Sequence, residues 1–391
     1  MTPHELALST VGTPASVSVR LNPFKPCPAP ANAEKVPWCE WGYTLNDRPS
    51  FTLDPLFHAG AYYVQDASAM YVGYVLRNLP PVRDGQKGLK VLDLCAAPGG
   101  KTTDAAASLR LSTGGEFELT ANEVMRARAS VLKDNVALWG DPAVQVTSVD
   151  PAAFASLGGY NDIIIADVPC SGEGMFRKDP RAVQEWSEAN VKLCAERQRR
   201  ILSSVWPALK EGGYLLYSTC TFEPCENDDN LLWAARELGG ELLPQPPAHE
   251  GVELTTCGSL LVPGRVKGEG QWVGALLKTA SAPRVRVRDI SSLRPLHAGI
   301  REIEDKGGVR VPSPDYALSI FFDKGRYPVA ELDRSTALAY LHREAIVLSD
   351  APLGYVAVSF EGHTLGFVKN LGTRCNNLLP RGRRILMDID R

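Results

Sequence analysis

From about residue 89 onward, short β-rich runs alternate with amphipathic helical stretches, and this alternation constrains the fold more than any other feature of the chain. Strands that run the same way and are joined by helices bury both faces of their sheet. The pattern therefore predicts a mostly parallel sheet wrapped by helices. Strands are expected over residues 89–94, 118–123, 144–150, 162–168, 214–219 and 271–277. A helix should follow each of the first five, most clearly over 101–110, 126–138, 187–209 and 226–238.

A chain of 391 residues exceeds one ordinary core, and its texture changes twice. Residues 1–70 are irregular, with proline and aromatic residues, and read as a cap without a core of their own. Residues 71–280 hold the alternating pattern. Residues 281–391 open with the linker-like run 281–288, which carries Arg284, Arg286 and Arg288, and continue into short strands over 354–360 and 364–370 separated by glycine turns.

Composition mainly excludes. A charged share of 22%, no long apolar run and no secretory pattern at Met1-Thr2-Pro3-His4-Glu5 point to a cytoplasmic protein with no membrane partner. Nine cysteines form no Cys-x-x-Cys pair and no Cys/His cluster, so free thiols and no metal are expected. A net charge of −3 leaves nucleic-acid binding to local basic patches.

In open parallel sheets ligands bind beyond the carboxyl ends of the strands. The expected strands place Asp93, Glu123, Asp150, Asp167, Cys170 and Cys220 at such ends, around one crevice. The first end runs through Cys95, Ala96, Ala97, Pro98, Gly99, Gly100 and Lys101 into a helix. Small residues allow close approach of a ligand, and the helix start offers free N–H groups, although a plain tight turn would look similar. It is neither a dinucleotide fingerprint nor a P-loop. Glu123 is placed to accept from ribose hydroxyls and Asp150 to orient an adenine. Either residue, taken alone, is more often a helix cap or a solvated group, but their coincidence on successive strands favours the ligand reading.

Two cysteines sit at neighbouring strand ends, in Asp167-Val168-Pro169-Cys170-Ser171-Gly172 and Tyr217-Ser218-Thr219-Cys220-Thr221. A lone cysteine is usually a small buried residue, but a pair in a polar crevice near helix starts suggests a nucleophile with a lowered pKa. Spacing does not say which of the two attacks. Cys225 is read as structural.

These motifs, with Arg177-Lys178-Asp179-Pro180, Gly268-Glu269-Gly270 and Ser18-Val19-Arg20-Leu21-Asn22-Pro23, closely resemble those of the Nop/Sun family of RNA cytosine-C5 methyltransferases. The resemblance covers about residues 14–280. Its tail, about 331–391, looks like the PUA-like segment of the bacterial branch that modifies small-subunit (16S) ribosomal RNA, with departures at Asn376-Asn377-Leu378-Leu379-Pro380 and at Gly264.

The resemblance implies an α/β class I methyltransferase with a Rossmann-like, mostly parallel seven-stranded sheet, an N-terminal cap and C-terminal α+β, PUA-like RNA-binding modules. S-adenosyl-methionine would lie against Cys95 to Lys101, Glu123, Asp150 and Asp167. Cys220 would attack C6 of the cytosine, Cys170 would help release the product, and Asp167 would face the ring N3. Arg20, Arg177, Lys178, Lys267 and Arg381 are candidate RNA contacts, as are Arg374, Arg383, Arg384 and the three linker arginines. A monomer acting on RNA is expected, with tRNA as the competing substrate. A catalytically silent ribosome-assembly factor, or a DNA or protein methyltransferase, is the alternative against which the paired cysteines weigh.

Overall fold

The protein is described by a computed structural model covering residues 1–82, 88–281 and 290–388. Arg284, Arg286 and Arg288 lie outside the described residues.

Seven strands build the central sheet: β1 (Leu89–Asp93), β2 (Phe117–Asn122), β3 (Val144–Thr147), β4 (Asn161–Asp167), β5 (Leu209–Thr219), β6 (Gly258–Leu261) and β7 (Gln271–Lys278). They lie in the order β6-β7-β5-β4-β1-β2-β3, parallel from β3 through β5, with β7 antiparallel to both its neighbours. Three short strands, Gly240–Leu242, Glu253–Leu254 and His297–Ala298, bring the sheet to ten. The order reverses between β1 and β4, which opens a crevice at their carboxyl ends.

Alternation along the strands sorts the core into two layers. Val91, Leu119, Ile163, Ile165 and Leu216 pack with Ala105, Leu109, Leu132 and Val136, which come from α1 (Gly100–Thr113) and α2 (Arg126–Trp139). Leu92, Ile164, Ala166 and Leu215 pack on the other face with Leu202 and Val205 of α3 (Glu188–Val205) and Leu231 and Ala234 of α4 (Asp228–Leu238). Each such valine, leucine or isoleucine side chain stabilises the fold by about 1.5–3 kcal/mol before entropy is counted, so register is strongly specified here.

Two expected elements differ. α3 stops at Val205, because Pro207 cannot donate to the helical ladder, and residues 206–208 form a 3₁₀ turn. β5 then begins at Leu209, earlier than expected. The third crossover is a 3₁₀ run, Pro151–Leu157, not an α-helix, and Asp150 caps it by accepting from the Ala152 N–H (2.8 Å).

Residues 1–70 are more regular than their composition suggests. Val17–Leu21, Glu34–Lys35, Gly42–Leu45 and Tyr62–Val64 form a four-stranded antiparallel sheet preceded by the helix Pro3–Ser9. Val36, Trp38 and Ala67 share a hydrophobic cluster with the central sheet. Near the other end, Val329–Glu331, Gly354–Phe360, His363–Asn370 and Cys375–Asn377 form a second four-stranded sheet. This one has its own core, in which Val356, Val358, Leu365 and Val368 meet Leu338 and Leu341.

Candidate active site

β1 ends at Asp93, the chain turns through residues 94–99, and α1 begins at Gly100. Gly99 has φ +115°, and a Cβ there would lie 3.2 Å from Leu132, so this turn needs glycine. Asp93 is fully buried and accepts from Thr102 Oγ1 (2.6 Å) through Oδ2, while Oδ1 has no partner among the described residues. Burial first, then the fields of Asp167 and Glu123, raises its pKa to about 7. An unpartnered buried carboxylate oxygen fits the cationic end of an amino-acid-like ligand.

β2 ends in Asn122, whose amide bonds Leu94 O and Val149 O and so ties three strand ends together. Glu123 accepts from the Met125 N–H (2.9 Å) and pairs with Arg128 (3.3 Å), which also reaches Ala97 O (2.8 Å). Asp150 is exposed, three residues past β3.

Asp167 ends β4 opposite Ser218 of β5. Ser218 Oγ (2.7 Å) and Gln271 Nε2 (3.2 Å) donate to its Oδ1, and Lys101 Nζ (2.9 Å) donates to Oδ2. Burial, the largest single influence, would lower the Lys101 pKa, but the charge and hydrogen bond of Asp167 together with the fields of Cys220 and Asp93 make the net shift upward. Lys101 therefore stays an ammonium.

The sulfurs of Cys170 and Cys220 lie 3.3 Å apart. Cys170 does not have the lowered pKa expected from its strand-end position. Its hydrogen bond to Cys220, followed by burial, pushes its thiol well up. The two sulfurs are within hydrogen-bonding distance of each other, and either thiol can be the donor. The Cys95 thiol is also pushed up, by burial first and then by the nearby carboxylates of Asp93, Asp167 and Glu123. All nine cysteines are free.

Two cavities meet at Cys95, Ala97 and Asp167. One, of about 360 Å³, is lined by both Cys170 and Cys220 together with Arg128 and Met175. The other, of about 180 Å³, is lined by Asp93, Lys101, Tyr63 and Gln65. The 95–101 turn, Asp167 and both cysteines thus converge as their strand ends predict.

Several expected RNA contacts do not face solvent. Arg20 is completely buried, donating to Gln65 Oε1 (2.7 Å), Thr103 Oγ1 (2.5 Å) and Gly100 O (3.2 Å), and so joins the N-terminal sheet to α1. It cannot touch a phosphate. Arg177 is held by Glu269 (2.7 Å) and Gly268 O (3.1 Å), and Arg383 by Asp315 (2.7 Å) and Asp134 (3.3 Å), with little of either side chain exposed. Lys178 and Lys267 are exposed and pair with Asp66 and Glu34, while Arg374, Arg381 and Arg384 are exposed.

Residues the sequence did not single out complete the site. Ser218 could have been found, because it shares a strand face with Cys220 at a spacing of two. Gln271, Arg128, Glu173 and Glu226 gave no such signal. Glu226 is buried and accepts from the Ser171 N–H (3.1 Å) beside Cys170 and from Gln198 (2.6 Å).

Residues 81–276 match the 16S rRNA methyltransferase RsmB/F family, residues 327–385 the methyltransferase RsmF PUA domain, and residues 4–67 the N-terminal domain of 16S rRNA methyltransferase RsmF. The chain belongs to the RsmB/F family. It is 31% identical to the ribosomal RNA small subunit methyltransferase F of Shewanella loihica over 89% of its own length and 83% of that protein's. The Citrobacter koseri protein of that name is 38% identical over 63% of the chain, which spans about half (52%) of that relative. A crystal structure of a methyltransferase homolog protein from Pyrococcus horikoshii superposes with a TM-score of 0.57 at 26% identity, covering 71% of this chain and 90% of the other. RsmB/F membership makes the chain an RNA methyltransferase with S-adenosyl-methionine as methyl donor. Among the described residues no helix is long and apolar enough to cross a membrane.

Proposed function

We propose that the chain methylates carbon 5 of a cytosine in 16S ribosomal RNA through a covalent bond between Cys220 and C6 of the ring. The observation that carries this reading is the 3.3 Å contact of Cys170 and Cys220 beside the Lys101–Asp167 pair.

Carbon 5 of cytosine is a poor nucleophile. Attack of the Cys220 thiolate on C6 forms an S–C bond and shifts an electron pair toward C5, while Asp167 accepts a hydrogen bond from the ring's protonated N3. S-adenosyl-methionine, when bound, supplies an electrophilic methyl group. The 95–101 turn and Glu123 would hold that donor, with Asp93 Oδ1 available to its ammonium group and Asp150 near its base. Transfer of the C5 proton to a water molecule acting as base then returns the electron pair, breaks the S–C bond and frees the Cys220 thiolate, and Cys170 assists this release. Lys178, Lys267, Arg374, Arg381 and Arg384 are the exposed candidates left to contact phosphates.

Cys220→Ala is expected to lower methyl transfer by at least about a thousandfold. Cys170→Ala should instead accumulate an enzyme–RNA adduct on denaturing gels. An adduct formed by the Cys220 variant and not by the Cys170 variant would reverse the two roles.

A further inference from the structure

Glu173, six residues past the end of β4, is almost completely buried. Its Oε2 accepts from Thr221 Oγ1 (2.7 Å) and from the Phe222 N–H (2.6 Å), the two residues that follow Cys220. Since the Thr221 hydroxyl donates to Glu173, its oxygen receives the hydroxyl of Ser171 (2.7 Å), the residue that follows Cys170. One carboxylate therefore sets the turns that carry both cysteines.

A buried carboxylate needs a compensating partner. Here it is His4, whose Nδ1 donates to Glu173 Oε1 at 2.5 Å. The His4 ring is packed in place against Trp186 (4.3 Å between centroids) and edge-on to Phe176 (5.7 Å). Its helix, Pro3–Ser9, is anchored by a capping box between Thr2 and Glu5. The N-terminal helix thus reaches 169 residues along the chain to the cysteine loops.

We propose that His4 is a positioning residue for methyl transfer, acting through Glu173 to hold Cys220 and Cys170 in reacting geometry. This rests on the cysteine chemistry proposed above. Thiol attack is sensitive to sub-ångström placement, so loosening the turns should slow turnover and leave substrate binding intact. Neither Glu173 nor His4 lines the two cavities that meet at Asp167.

The test uses two variants of the full chain, with Cys220→Ala as control. His4→Phe keeps a ring against Trp186 but has no donor, and His4→Asn places an N–H near the position of Nδ1. The expected result is a kcat about tenfold lower for His4→Phe, with KM for RNA and for S-adenosyl-methionine within about twofold of the parent, and kcat restored by His4→Asn. A parental kcat in His4→Phe beside an inactive Cys220→Ala would overturn the role of His4 alone. An active Cys220→Ala would overturn the cysteine chemistry itself. Equal losses in both His4 variants with a matching fall in Tm would reduce His4 to a structural contact. Loss of activity on chelation, restored by zinc, would overturn the proposal in favour of a cation held by His4, Glu173 and Glu223, whose ligand atoms lie within 4.8 Å of one another.

Discussion

Two cation–carboxylate pairs in this molecule have similar chemistry and different surroundings. Lys101 meets Asp167 at 2.9 Å where the two cavities join, and Asp93 nearby leaves a buried oxygen without a partner. Arg383 meets Asp315 at 2.7 Å and Asp134 at 3.3 Å, lines neither cavity, and fastens the C-terminal region to α2. In the crevice the polar groups still have capacity for a ligand. At the seam Arg383 is spent on holding the chain together. A basic residue therefore says little about RNA until its partners are known.

The largest expected effects separate these roles by what they change. Arg20→Ala should cost about 3 kcal/mol in denaturant unfolding, because it strips a buried cluster of its donor. Arg383→Ala should cost less, about 2 kcal/mol, since Asp134 is partly solvated. A loss of RNA affinity with unchanged stability in either variant would break the comparison.

A smaller effect tests the crevice. The folded pKa of Asp93, about 7, lies above its ordinary value of 3.8, so the folded protein binds a proton there that the unfolded chain has lost. Its contribution to stability is present below pH 3.8 and is lost as pH rises toward about 7. A ligand ammonium group favours the ionised carboxylate, so S-adenosyl-methionine should bind more tightly, by up to about tenfold, between pH 6 and pH 8. Calorimetry should show proton release on binding, and Asp93→Asn should abolish the pH dependence. A pH-independent Kd in the parent protein would remove Asp93 from the donor site.

The smallest effects belong to exposed side chains. Arg381→Ala and Lys178→Ala should each change stability by less than about 0.5 kcal/mol. If they contact phosphate, each should reduce the salt dependence of RNA binding by about one unit of slope. An unchanged slope would place them among ordinary solvated charges.

Much of the central fold was legible because a buried strand announces itself. Successive residues such as Val91 and Leu92 must both be apolar when helices cover both faces, and this pattern located β1, β2, β4 and β7 to within a residue or two. The Asp167, Cys170 and Cys220 grouping followed from the same alternation, since each lies at or just past a strand end. Other features were not visible. The N-terminal sheet pairs Val19 with Val64 across 45 residues of mixed composition, which no local periodicity reveals. Helix termination at Pro207 could have been read, because proline punishes the preceding turn whatever the tertiary context.

The sequence by itself determined the strand and helix order, the glycine turn after β1 and the two cysteine motifs, because backbone propensity and apolar periodicity are local. Only the tertiary structure decided that Arg20, Arg177 and Arg383 face inward, that the sulfurs of Cys170 and Cys220 meet at 3.3 Å, and that His4 reaches Glu173. Those outcomes depend on burial and on partners brought together from distant parts of the chain. Electrostatic interaction depends on distance in space, and separation along the chain does not encode it.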